Sequence, residues 1–179
     1  MRKTLFSLLT LTLILGLSTA WAWEPDPNNK DQVDVQKAIL DLKAKDPGME
    51  DWFKGAAGYA VFPTVGKGAV GIGGAHGNGL VIAGDKVVGK TSMSQITVGL
   101  SLGGQSYAEF IFFKDNVALE EFKRGNYEMN AQASAVIVKT GASADASYNK
   151  GVAIFTNIAG GVMADVSVGG QKFTYEPIN

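Results

Sequence analysis

The chain has 179 residues, 46% of them hydrophobic, with 16 basic side chains against 17 acidic ones and no cysteine. That length suits one domain with a real core. The near-balanced charge argues against a nucleic-acid partner, and the lack of cysteine removes disulfides, thiol nucleophiles and thiolate metal sites from consideration.

At the amino end Arg2 and Lys3 precede an apolar run, Leu5 to Leu17, and Ala20-Trp21-Ala22 supplies a small-x-small cleavage site. This pattern predicts a signal peptide over residues 1–22, cut after Ala22, and so a periplasmic or secreted chain. The alternative is an uncleaved anchor, but the run of 13 residues falls short of the ~20 that a spanning helix needs. Without Arg2 and Lys3, 14 basic residues face 17 acidic ones. The acids crowd the front: Glu24 to Asp51 holds eight acids and four lysines.

Residues 23–31 read as a polar, extended linker and residues 32–179 as a single domain. From Asp31 the apolar residues Val35, Ala38, Ile39 and Leu42 recur at helical spacing, and Asp46-Pro47-Gly48 supplies the stop. Met49, Trp52 and Phe53 then form a compact apolar cluster that suits one more helical turn before Gly55.

Beyond Gly58 the period shifts toward two and glycine becomes frequent. Gly66-Lys67-Gly68-Ala69-Val70-Gly71 fits the dinucleotide pattern G-x-G-x-x-G, yet Ile72-Gly73-Gly74-Ala75-His76-Gly77 follows it, which no helix tolerates well. His76, the one histidine, has no cluster to make it a metal ligand or a general base, so a turn role is expected. Gly84-Asp85-Lys86-Val87-Val88-Gly89-Lys90-Thr91 matches the phosphate-loop pattern letter for letter. A phosphate loop must open a helix whose amino end faces the phosphates. Here Ser92 to Leu100 is rich in β-branched residues and glycine, so Gly84 to Lys86 is predicted to be a hairpin turn and no nucleotide is expected.

Val98, Leu100 and Leu102 alternate as in a half-buried strand, and Tyr107 to Phe113 is apolar on both parities except for Glu109. Asp115 is placed to cap a short helix, near 115–124, that ends at Lys123-Arg124-Gly125. Strand signals resume over Tyr127 to Lys139, Gly151 to Asn157, Val162 to Val168 and Lys172 to Tyr175, with Val168-Gly169-Gly170-Gln171 as a tight turn. Ala131, Ala133 and Ala135, then Ala142, Ala144 and Ala146, suggest strands closely approached by a neighbour. The acids Glu109, Glu128, Asp145 and Asp165 fall in strand-like segments, but no pair among them forms a catalytic set. The expected fold is a β-rich α+β domain: a glycine-bent, closed or nearly closed antiparallel sheet with an N-terminal amphipathic helix and one short later helix. No cofactor, metal or enzymatic activity is expected.

The order of these segments resembles the SYLF domain family from about Asp46 to Tyr175. The resemblance is carried by Ala57-Gly58-Tyr59-Ala60-Val61-Phe62-Pro63, by Lys67 to Gly79, by Gly99-Leu100-Ser101-Leu102-Gly103-Gly104-Gln105, by Gly141 to Ala146, and by Gly160-Gly161-Val162 leading to Gly169-Gly170. It is similar above all to the short exported bacterial members. Phe155-Thr156-Asn157-Ile158-Ala159 stands where eukaryotic members carry a more polar, basic segment. The resemblance implies binding to lipid or a membrane surface rather than catalysis, and an exported chain would not meet the actin that some eukaryotic members bind.

Four residues are candidates for that contact. Trp52 and Phe53 beside Lys54 form an aromatic and cationic cluster of the kind that enters an interface, and Lys67 in its glycine-rich setting is open to a phosphate head group. Alternatively the two rings pack the leading helices onto the sheet. Exposed rings favour a membrane module; buried rings with an uncovered sheet edge favour a protein-interaction module.

Overall fold

The computed structural model describes residues 23–70, 72–98, 105–129, 135–160 and 168–178. The predicted signal peptide, the strand signals at 99–103 and 162–167, and the alanines at 131 and 133 lie outside them.

The leading helix α1 spans Lys30–Lys45. The Asn29 side chain caps it by accepting from the Gln32 amide, Asp31 sits in its first turn and Lys43 and Lys45 in its last, matching the helix dipole at both ends. Asp46, held extended ahead of Pro47, ends it. Helix α2, Met49–Gly55, follows at once. Residues 23–31 are not a free extended linker: Trp23 is buried and packs with Val35 and Ile39 in the helix-side core.

Strands β1 (Gly58–Val70), β2 (Ile72–Ala83) and β3 (Lys86–Val98) form a long meander. The β2–β3 connection is the tight hairpin turn expected, with Gly84 at φ 55° and Asp85 at φ 60°. Two consecutive positive φ angles match the right-handed twist of the flanking strands. Strand β4 (Gln105–Phe113) leads into α3 (Asn116–Lys123), whose Asp115 cap accepts from the Ala118 amide at 3.0 Å. Then come β5 (Tyr127–Glu128), β6 (Val136–Ile137), a short 3-10 turn at Ala142–Ala144, β7 (Val152–Gly160) and β8 (Lys172–Pro177).

The strands form one mostly antiparallel half-barrel in the order β5-β8-β3-β2-β1-β4-β7-β6. Among the described residues only the pairing of β6 with β7 is parallel. Two expectations change in detail. The stretch from Tyr127 to Lys139 is two separate two-residue strands at opposite edges of the sheet rather than one strand, and Ala142 and Ala144 sit in the 3-10 turn. Close packing there involves Ala142 and Ser143, which are buried, while Ala144 is exposed, so the period-two alanine spacing marks no strand face.

Each face of the sheet has its own core. On one face, Val35, Ile39, Leu42, Met49 and Phe53 of the helices pack on Val61, Ile82, Phe110, Phe112 and Phe155. On the other, concave face, Leu119 and Phe122 of α3 pack with Phe62, Ile111, Phe113 and Phe173. Each fully buried side chain of this size contributes ~1.5–3 kcal/mol. Central strand β1 carries a register shift at Phe62-Pro63 in both of its ladders, as expected where proline removes a ladder donor.

Candidate functional site

The sheet's length decides which candidate residues share a neighbourhood. Phe53 stacks edge-on against Tyr59, at 4.9 Å between centroids, near the start of β1. Lys67 lies eight residues further along the same strand, on the order of 25 Å away at ~3.3 Å per residue. Trp52, Phe53 and Lys54 therefore gather at the helix-covered end, and Lys67 stands alone at the other.

At the covered end the rings serve packing. Phe53 is buried, 5.0 Å from the Phe112 ring, and the Lys43 ammonium lies 4.7 Å from its centroid. Trp52 is half-buried, 4.9 Å from both Tyr148 and Phe155. Its indole N–H donates to the Ser143 carbonyl at 3.2 Å, while the Ser143 amide donates to Asp46 at 2.8 Å. Burial raises the Asp46 carboxyl, but hydrogen bonds from Ser143, Gly141 and Gly48 outweigh it and hold the group below its ordinary range. The 3-10 turn is thus fastened to the end of α1 and to α2 together. Lys54 is exposed and pairs with Glu50 at 3.4 Å.

The far end is built differently. Gly66, Gly68, Gly74, His76 and Ser94 are exposed there, and beside them Ile96 is 83% exposed. Ile96 pairs in register with Gly74, so β2 offers it no side chain at that rung; the ladder continues through Ile72↔Val98 and Val70↔Ile72. His76 is in strand β2 and not in a turn. Lys67 is half-buried, one alternation beyond the buried Val65 on the concave side of β1. The phosphate-loop look-alike is the β2–β3 turn followed by strand, so its Lys90 and Thr91 open no helix.

Between these ends, inside the half-barrel, lies a polar group that sequence reasoning reached only in part. Glu109 is fully buried and accepts from Gln171 Nε2 at 2.9 Å. Gln171 enters β8, which stands four places from β4 in the sheet order, so this bond crosses the curled interior. Burial pushes the Glu109 carboxyl up to about 7, with the Gln171 hydrogen bond opposing. Tyr107, two residues away, has its phenol raised by burial and by the neighbouring Glu109, while Gln171, near but outside hydrogen-bonding geometry, opposes this. The sequence signal was one acid in an otherwise apolar strand; its partners Tyr107, Thr156 and Gln171 carried none. Glu128 and Asp145 are exposed, and Asp165 lies outside the described residues.

A groove of about 370 Å³ runs between the start of α1 and strands β3 and β8, with Asp31, Asp34, Lys90, Thr174 and Glu176 in its walls. Three acids beside one lysine make it a poor seat for an acyl chain or a phosphate. No helix among the described residues is long and apolar enough to cross a membrane.

Residues 94–177 match the family described as Ysc84, Las17-binding protein actin regulator. These residues are a Ysc84/SYLF domain. The SYLF segment begins inside β3 and runs through β8, so its strands β3 and β4 pair with β2 and β1 that precede it. A relative, Beta cell expansion factor A of Aeromonas veronii, is 29% identical over 140 residues, 76% of this chain and 52% of that protein. The chain with its SYLF domain therefore spans about half the length of this curated relative.

Proposed function

We propose that the protein is an exported, non-catalytic SYLF module that docks on a lipid surface through the open end of the β1–β2–β3 meander. The observation that carries this reading is Ile96, 83% exposed on a glycine-lined face, where the ladder continues through isoleucine and valine positions. An unshielded aliphatic side chain contributes most when it leaves water for an interface. Lys67 at the same end supplies a cation for a phosphate head group. Lys54, paired with Glu50 at the other end, is a secondary contact. The acidic α1 region keeps the electrostatic attraction modest and sensitive to salt.

Co-flotation with liposomes of graded anionic lipid content tests this. The parent is expected to float, Ile96→Ser to lose most of its binding on every composition, and Lys67→Ala to lose it chiefly on anionic vesicles. Equal flotation of Ile96→Ser and the parent overturns docking through this end. Export is checked separately: the amino terminus of the protein recovered from the periplasm or medium should be Trp23.

A second reading, a protein-interaction module, draws on the sheet edge. β5 covers β8 only at Lys172 and Phe173, so the outer edge from Thr174 to Pro177 has no strand partner among the described residues. A protein adding a strand there would bond to outward-facing groups such as the Tyr175 amide, and its binding should survive Ile96→Ser, the change that removes most flotation.

A further inference from the structure

The concave face of the half-barrel holds a polar island in an apolar lining. Tyr107 and Glu109 stand two residues apart on β4, Thr156 of β7 is the register partner of Glu109, and Gln171 reaches Glu109 from β8 across the interior. Each is at most 1% exposed. Four oxygen atoms in this island, Tyr107 Oη, Glu109 Oε1, Thr156 Oγ1 and Gln171 Oε1, have no hydrogen-bond partner among the described residues. Buried polar atoms in native proteins are satisfied almost without exception, by protein, ordered water or an ion, and of the last two only an ion balances the Glu109 charge.

The chemistry of the island selects the occupant. The Gln171 amide donates one N–H to Glu109 Oε2, which leaves its second N–H and the hydroxyl protons of Tyr107 and Thr156 as donors. The oxygens still open are a carboxylate, a phenol, an alcohol and an amide carbonyl. No ion pair to Glu109 occurs among the described residues. An anion would find no cationic side chain there and would face the Glu109 carboxylate. Oxygen-only sites suit hard cations, whereas softer metals take imidazole or thiolate ligands. One carboxylate in a water-poor interior balances one positive charge, and a divalent ion would leave a buried excess.

We infer that the island binds one monovalent hard cation, with Glu109 as the charged ligand and Tyr107, Thr156 and Gln171 as neutral oxygen ligands. The bound ion ties β4, β7 and β8 together and holds the half-barrel curled.

Thermal unfolding of the purified protein in sodium, potassium or choline chloride at matched ionic strength tests the inference. The melting temperature should rise by several degrees in at least one alkali salt relative to choline and saturate with concentration. Glu109→Gln, which keeps the side-chain shape and removes the charge, should abolish that response while remaining folded in choline. Thr156→Val should weaken it. Equal melting in all three salts, or an undiminished response in Glu109→Gln, overturns the proposal. Stabilisation by calcium chloride but by neither alkali salt overturns the monovalent assignment.

Discussion

Replacing Trp52 by alanine separates the two roles open to that ring. In the structure the indole touches Phe112, Tyr148 and Phe155 at centroid distances of 5.9, 4.9 and 4.9 Å and donates to the Ser143 carbonyl. A fully buried tryptophan truncated to alanine costs ~3–5 kcal/mol. Trp52 is only half-buried, which lowers the area term, but the lost hydrogen bond adds ~1 kcal/mol. The expected cost is therefore about 3 kcal/mol, read as a lower urea midpoint by circular dichroism. Trp52→Phe should recover most of the packing and lose about 1 kcal/mol, the share of the hydrogen bond. Flotation of the folded fraction of Trp52→Ala should equal that of the parent. A cost below ~1 kcal/mol accompanied by lost flotation would refute the packing account and return the ring to the membrane.

Three further outcomes follow from the geometry. A Cβ at Gly79 would collide with the Val61 carbonyl oxygen and the Phe62 ring, whereas one at Gly66 meets nothing within 4 Å; Gly79→Ala should cost at least ~2 kcal/mol in urea unfolding and Gly66→Ala under ~1 kcal/mol. At the β2–β3 turn, Gly84→Ala should cost ~1 kcal/mol because of its positive φ, and Asp85→Gly should be neutral or stabilising by thermal melt. The folded state holds the Glu109 proton up to about pH 7, above the unfolded value of ~4.3. The folded chain then binds the extra proton, so this group's contribution falls as pH rises from ~4.3 to about 7. In choline buffer Glu109→Gln should remove that slope and leave the variant about 3 kcal/mol more stable than the parent at pH 8; urea midpoints at pH 5 and pH 8 that shift equally in both proteins would contradict it.

The local elements were legible because short-range chemistry sets them. Asn29, Asp31 and Asp46-Pro47 bracket α1, Asp115 opens α3, and the glycine and β-branched content after Gly84 revealed a strand where the letters spelled a phosphate loop. What escaped the sequence depends on the curl of the sheet. Gln171 lies 62 residues from Glu109, and no periodicity states that β8 bends round to face β4. Neither did spacing show that Lys67 sits a strand's length from Trp52, because the two are only 15 residues apart in the chain and both fall inside the resemblance to the SYLF family. The alanines near residue 142 misled for a related reason: small residues record a close approach without naming the backbone that makes it.

The double register shift at Phe62-Pro63 divides the sheet in two. Toward the start of β1 the strands are clamped between α1 and α2 on one side and α3 on the other, so their amides open only when the whole core does. Past Pro63 the ladders run in a shifted register, and Gly66, Gly68 and Gly74 are exposed with no helix among the described residues over them. The same strands thus serve two settings: at one end both faces are sealed by helices, and at the other one face stays sealed while the opposite face presents glycine and Ile96 to solvent.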